Sequence, residues 1–214
     1  NAADANATDK LAVGDKYLNS GTLYVAKYNA DGTGQWLELS LANPLVQNYA
    51  TYSFADAADV CVNARLAADA VGATKMDRPE WCSANVANGE IYFTLTNNSN
   101  RRAEPTGSQM APDAANPRAY TDINGAGTSS GNVNGHVLRM KEGAAGSAAT
   151  SFTWDVYVFG AQSDADTSNV NLSKLTADQD FSSPDGLVFS PSTGILWIQT
   201  DDGAYTDATN CMML

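Results

Sequence analysis

An alternation of apolar and polar positions predicts a β-hairpin near the start of the chain. Residues 21–28 and 35–39 are rich in β-branched and aromatic side chains. The segment between them contains Asn29, Asp31 and two glycines, which are typical of a turn. Because Asp-Gly turns are far more frequent than calcium loops, we interpret Asn29 and Asp31 as turn residues.

The same kind of pattern predicts four strands between residues 80 and 160. They cover residues 81–86, 90–96, 135–140 and 152–159. Residues 97–134 separate the second from the third, and their Asn, Gly, Ser and Pro content predicts a long loop. Residues 1–18 are polar and rich in Ala and Asp, so we expect a weakly ordered lead-in there.

One segment has helical rather than strand periodicity. Apolar residues recur at helical spacing over residues 53–71, which predicts a single helix. Ser53 is the expected N-cap, with Asp56 three residues later as a short capping box. Gly72 is the expected stop.

An internal repeat links two parts of the chain. Pro79 precedes Gly89 by ten residues, and Pro184 precedes Gly194 by ten residues. An apolar strand that ends in threonine follows each glycine, and we align Thr96 with Thr200. A four-stranded unit that starts again with a new first strand is typical of a β-propeller. We therefore predict a mainly β fold, a partial β-propeller of about two blades of four-stranded antiparallel sheet.

The repeat also predicts how the chain is organised. We expect residues 1–214 to be a fragment of one propeller domain, because both ends resemble interior cuts. Its parts are the end of one blade at 20–40, a helical insertion at 53–72, a full blade at 80–160 and the start of the next blade at 184–214. Open strand edges in such a fragment could pair, so a homo-oligomer is a possible partner state.

Composition excludes some functions. A hydrophobic content of 43% allows a packed core, and the net charge of −12 argues against a nucleic-acid partner. The acidity is compatible with binding of divalent cations, although many proteins are acidic for solubility alone. No apolar run approaches the ~20 residues needed to span a bilayer, and the sequence shows no signal peptide.

The candidate site residues are Arg78, Glu80 and Asp185. We expect Pro79 to hold Arg78 in an extended conformation. The planar guanidinium of Arg78 suits a phosphate, and the carboxylate of Glu80 suits a hard cation. Asp185 is equivalent to Glu80 in the repeat, so both carboxylates should face one axis, where a cation would relieve their repulsion. The alternatives are an ordinary Arg78–Glu80 ion pair and a Pro-Asp-Gly turn at Asp185.

The sulfur and imidazole side chains give no catalytic pattern. Cys61, Cys82 and Cys211 form no CxxC or Cys/His cluster, which argues against a zinc site. We expect them to be small buried hydrophobic residues, and a pairing of two of them stays open. His136, the only histidine, has no serine nucleophile motif nearby, so we expect a structural role.

Several motifs in the same order resemble the PhoX-type alkaline phosphatases. They are GTLYVAK at 21–27, DRPEW at 77–81, YFTLTNN at 92–98, FTWD at 152–155 and SPDGL at 183–187. The resemblance covers most of residues 20–214, with breaks in the long loop and around 161–178.

This resemblance implies a function. Such proteins are exported bacterial propeller enzymes, periplasmic or extracellular, which hydrolyse phosphate monoesters with a calcium and iron cofactor. It implies that Arg78 binds the substrate phosphate and acts in catalysis, and that Glu80 and Asp185 are metal ligands. The family's iron-bridging cysteine and remaining ligands belong to an upstream part, so this chain would supply only part of the site. The alternatives are a non-catalytic β-propeller binding module, or an inactive fragment that self-associates through open sheet edges.

Overall fold

Strands make up most of the regular structure in the computed structural model, which describes residues 2–124, 127–201 and 211–214. The helices are α1 Ala2–Ala5, α2 Lys10–Leu18, α3 Pro44–Gln47, α4 Ala57–Val62 and α5 Ala64–Ala70, with a 3-10 turn at Gly146–Ala148. The strands are β1 Leu23–Tyr28, β2 Thr33–Leu39, β3 Pro79–Asn85, β4 Glu90–Leu95, β5 Tyr120–Asn124, β6 Gly127–Gly131, β7 His136–Glu142, β8 Ser151–Phe159, β9 Pro184–Phe189 and β10 Leu196–Thr200.

Strands β3, β4, β7 and β8 form the four-stranded antiparallel sheet that the sequence predicts. They pair in the order β8-β7-β4-β3, and β4 pairs with β7 in unbroken register from Glu90 opposite Lys141 to Leu95 opposite His136. Strands β9 and β10 begin a second antiparallel sheet. The mainly β, partial-propeller fold is therefore confirmed.

The predicted hairpin is formed by β1 and β2, and β2 pairs with β8 of the four-stranded sheet. Residues Thr33–Gln35 of β2 pair with Ser151–Thr153 of β8, which gives one six-stranded sheet in the order β1-β2-β8-β7-β4-β3. Through these residues the hairpin pairs with the outer edge of the same sheet, and its assignment to the end of an earlier blade stays a prediction. The indole N–H of Trp154 fixes this edge, because it donates to the Thr33 carbonyl at 2.9 Å.

Two helical expectations also need correction. The helix expected over 53–71 is two helices, α4 and α5, which meet at Asn63. Asp56 rather than Ser53 caps α4, because its side chain accepts from the Asp59 N–H. Gly72 ends α5 with a φ of +69°, as expected.

The polar lead-in is helical as well. Residues 2–5 and 10–18 form α1 and α2, although we expected weak order there. The side chain of Asp9 caps α2 by accepting from the Ala12 N–H at 3.0 Å. A local cap of this kind stabilises a helix that has little apolar periodicity to identify it.

The described chain divides into two compact units, each with its own core. One unit comprises residues 1–27 and 36–73, and the other comprises residues 28–35 and 74–214. The buried core of the first consists of Leu39, Val46, Phe54, Val60, Ala67 and Val71. In the second, Tyr92 and Val137 of the four-stranded sheet pack against Leu187 and Ile198 of the β9–β10 hairpin.

The insertion between β4 and β7 is more ordered than the predicted loop. Strands β5 and β6 pair as a hairpin within it. The cysteines also differ from expectation, because Cys61, Cys82 and Cys211 are exposed free thiols rather than buried residues. Within the described residues, no helix has the length and apolar character needed to span a bilayer.

Candidate functional site

Arg78 precedes β3 in a backbone conformation that few residues other than glycine adopt. Its φ is +53°, in the left-handed region, which corrects the expectation that Pro79 makes it extended. Main-chain bonds hold it on both sides: the Arg78 N–H donates to the Met76 carbonyl at 3.0 Å, and the Arg78 carbonyl accepts from the Thr96 N–H at 3.2 Å. Such a conformation costs on the order of 1 kcal/mol, and strain of this kind is concentrated at functional sites.

Asp77, the residue before Arg78, is completely buried at the centre of a polar network. Its Oδ1 accepts from Arg101 Nε at 3.0 Å and from Asn98 Nδ2 at 2.7 Å, and its Oδ2 accepts from Asn132 Nδ2 at 3.0 Å. Arg101 Nη2 also lies 2.9 Å from Oδ1. Because loss of one partner of a buried ion pair costs about 3–5 kcal/mol, this network holds Asp77 in one position.

The insertion between β4 and β7 supplies most of this network. Arg101 also donates to the carbonyls of Lys75 at 2.8 Å and Ala111 at 2.6 Å, and Asn116 Oδ1 accepts from the Asp77 N–H at 2.9 Å. Sequence reasoning missed Asp77 and Arg101 as determinants of the site. The available signal was an arginine pair in a polar stretch, which is weak by itself.

The guanidinium of Arg78 is accessible to a ligand. Its Nη1 donates to Asn97 Oδ1 at 2.9 Å, and its Nη2 lies 3.6 Å from Glu80 Oε1. The Arg78 side chain is 56% exposed and the Glu80 side chain 37% exposed. An exposed ion pair contributes at most about 1 kcal/mol, so an anion that binds the planar fork of Arg78 can compete with Glu80.

The structure brings the starts of β3 and β9 together, as the repeat predicts. The buried hydroxyl of Thr94 accepts from the Trp81 N–H at 3.0 Å and donates to the Asp185 carbonyl at 2.7 Å. The main chain beside Glu80 and the main chain of Asp185 therefore bind the same oxygen atom. The two carboxylates have the hard oxygen chemistry that a calcium ion prefers.

A metal ion here would need further ligands. Calcium takes about 6–8 oxygen ligands, and Glu80 and Asp185 supply two carboxylates. No group of three or more His, Cys, Asp or Glu that could hold a metal ion occurs in the part of the chain that the structure describes.

The start of β9 repeats the backbone of the start of β3. Ser183, like Arg78, directly precedes a proline and has a positive φ. The φ of Ser183 is +55° and that of Arg78 is +53°. The Ser183 carbonyl accepts from the Asp201 N–H at 2.9 Å, which matches the bond from Thr96 to Arg78. Asp201 rather than Thr200 is thus the counterpart of Thr96, which corrects the alignment of the repeat by one residue.

His136 is a buried structural residue, as expected. Its Nε2 lies 2.8 Å from the Ala115 carbonyl, and its Nδ1 lies 3.1 Å from Asn132 Nδ2. The carbonyl needs a donor and the amide supplies one, so we assign a neutral ring with its proton on Nε2. Burial lowers the pKa of His136 to about 4, so the ring stays neutral near pH 7.

A groove of about 830 Å³ has none of Arg78, Glu80 and Asp185 in its lining. Apolar side chains of β8 and β10 form much of its lining, together with Leu214. Asp178 is the charged residue in that lining, and its carboxylate would repel a phosphate. The exposed guanidinium of Arg78 therefore suits an anion better than this groove does.

The fold and three side chains define a class of protein. It is a propeller-type chain that presents an arginine, Arg78, and two carboxylates, Glu80 and Asp185, where two neighbouring strands begin. The model of the family described as alkaline phosphatase PhoX matches residues 4–213, and the chain belongs to this family.

The chain is similar to a solved structure of "Pseudomonas fluorescens PhoX in complex with vanadate, a transition state analogue". Sequence identity is 35% and the TM-score is 0.76. The match covers 97% of this chain and 35% of that chain, so this chain spans about a third of the length of the PhoX structure. No curated protein matches the sequence.

Proposed function

We propose that this chain is part of an alkaline phosphatase that hydrolyses phosphate monoesters, and that Arg78 binds the substrate phosphate. The observation that carries the proposal is the geometry of Arg78. Its exposed guanidinium stands on a left-handed backbone that the neighbouring Asp77 and its buried partners hold in place. Membership of the PhoX family supports the proposal, and so does the vanadate complex of the similar protein.

Glu80 and Asp185 are the proposed metal ligands within this chain. The proposed cofactor contains calcium and iron and is held mostly by ligands outside the chain. When bound, such metal ions can activate a nucleophile and neutralise phosphate charge. Arg78 would orient the phosphoryl oxygens and stabilise their charge in the transition state.

The proposed place of action rests on the family alone. We propose that it acts in the periplasm or outside the cell. Pairing of copies through open strand edges stays a prediction.

Replacement of Arg78 tests the phosphate-binding role. In the full-length, metal-loaded protein, Arg78→Ala should lower kcat/KM for p-nitrophenyl phosphate by about 100- to 1000-fold, because a charged donor to the transition state is lost. Arg78→Lys should fall between wild type and Arg78→Ala, since it keeps the charge but loses the planar fork.

Arg65 offers a matched control. It is an exposed arginine in α5, and Arg65→Ala should leave kcat/KM within about twofold of wild type. A wild-type protein that leaves the ester intact would contradict the proposed phosphatase activity. An Arg78→Ala variant as active as Arg65→Ala would exclude Arg78 as the phosphate ligand.

A further inference from the structure

We propose that Asn97 is a positioning residue that sets the orientation of the Arg78 guanidinium and connects it to the start of β9. The inference rests on the proposed phosphate-binding role of Arg78. Asn97 lies just after β4 and is half-buried. It would touch neither the phosphate nor a metal ion, so its effect on the reaction would pass through Arg78.

The two ends of the Asn97 amide bind the residues that immediately precede two different strands, β3 and β9. Its Oδ1 accepts from Arg78 Nη1 at 2.9 Å, and its Nδ2 donates to Ser183 Oγ at 3.2 Å. Ser183 is completely buried, and its Oγ lies 3.1 Å from the hydroxyl of the buried Ser182. Asparagine combines an acceptor and a donor on one short side chain, which aspartate does not.

The neighbours of Asn97 hold the same part of the chain. The Thr96 N–H binds the Arg78 carbonyl, and the Asn98 side chain binds the Asp77 carboxylate. Three consecutive residues after β4 therefore bind three different groups of Asp77 and Arg78. Asn98 is itself fixed, because its main chain pairs with a second strand-like segment at Asn132.

This arrangement decides between two orientations of Arg78. The guanidinium lies between the neutral Asn97 oxygen and the charged Glu80 carboxylate. Without Asn97, Arg78 would be free to form a closer pair with Glu80, and a phosphate would then have to displace that carboxylate. Asn97 thus keeps the planar fork available to an anion, and this pre-organisation strengthens binding.

A mutant cycle between Asn97 and Arg78 tests this role. In the full-length, metal-loaded protein, Asn97→Ala should raise the Kd for inorganic phosphate and the KM for p-nitrophenyl phosphate about tenfold. In the Arg78→Ala background, Asn97→Ala should change both by less than twofold, since it acts only through Arg78. A residue that merely stabilised the fold would produce the same proportional loss in both backgrounds.

Two further variants complete the experiment. Ser183→Gly removes the hydroxyl that holds Asn97 and tolerates the left-handed backbone, so it should weaken phosphate binding about threefold. It also tests the connection to β9 if Asn97→Ala does not fold. Asn169→Ala, at an exposed loop position, is the matched control and should bind phosphate like wild type.

The outcomes separate the inference from the function on which it rests. The Asn97 inference is overturned if wild type cleaves the ester and Asn97→Ala binds phosphate within twofold of it. An undiminished effect of Asn97→Ala in the Arg78→Ala background overturns it too. A wild-type protein that neither cleaves the ester nor binds phosphate overturns the proposed function first, and the inference with it.

Discussion

At the scale of single residues, the site depends on two neighbours in opposite environments. Asp77 is completely buried, whereas the Arg78 side chain is 56% exposed. The bonds of Asp77 to Arg101 and its neighbours offset the strain of the left-handed Arg78 backbone. Local sequence makes Arg78 a candidate phosphate ligand, but it does not predict the burial of Asp77, because the partner Arg101 lies 24 residues further along the chain.

His136, which contacts Asn132 of the same network, should make the stability of the fold depend on pH. His136 has a folded-state pKa of about 4 because it is buried, against about 6.5 when unfolded. Between these values the unfolded chain binds the proton and the folded chain does not, so stability falls as pH falls. We expect His136 to contribute a loss of about 2 kcal/mol between pH 7 and pH 5.

Two measurements check the His136 prediction. Because the sequence has one histidine, its imidazole NMR signals can be assigned directly, and their midpoint should lie near 4. Urea unfolding of His136→Asn should depend less on pH between 7 and 5 than that of wild type. A midpoint near 6.5 would show that the folded protein binds the proton as the unfolded chain does.

At the scale of elements, regular strands are predictable and the connections between them are not. The four strands of the sheet begin and end within about two residues of the sequence prediction, since each is a short run of mostly apolar and β-forming residues between turn residues. Asn63 separates α4 from α5 without a side-chain cap bond to α5, and the β5–β6 hairpin has polar strands. Neither the break nor the hairpin is marked by a hydrophobic periodicity that sequence analysis could detect.

The return from the insertion to β7 depends on a glycine. Gly135 has a φ of +68°, and a Cβ there would collide with the main-chain oxygens of Leu95 and Thr96. Gly89 has a similar φ of +74° but open space around it. We expect Gly135→Ala to reduce the free energy of unfolding by about 1–3 kcal/mol more than Gly89→Ala does.

The Gly89→Ala variant isolates the steric part of this effect, because both substitutions carry the cost of a left-handed backbone. Urea unfolding of the two variants and wild type gives the comparison. Equal losses of stability would mean that the end of β4 moves freely to make room, and that the insertion does not constrain it.

At the scale of the whole molecule, the proposed metal site would require two parts of the repeat. Glu80 belongs to β3 and Asp185 to β9, and the chain brings these strands side by side. The repeat in the sequence predicts this approach, because Pro79 and Pro184 begin equivalent strands. Calcium and iron are proposed from the family resemblance alone, since two carboxylates do not by themselves select these ions.

Metal content therefore tests whether the two carboxylates act together. In the full-length protein, Glu80→Gln and Asp185→Asn should each lower bound calcium, measured by elemental analysis after dialysis, because each removes a charged oxygen ligand. The double variant should lose no more calcium than the single variants if both side chains bind one ion. Asp164→Asn and Glu104→Gln replace exposed carboxylates and should retain wild-type calcium. If both single variants also retain it, the carboxylates are not ligands, and a propeller binding module without catalytic metal ions becomes the better account.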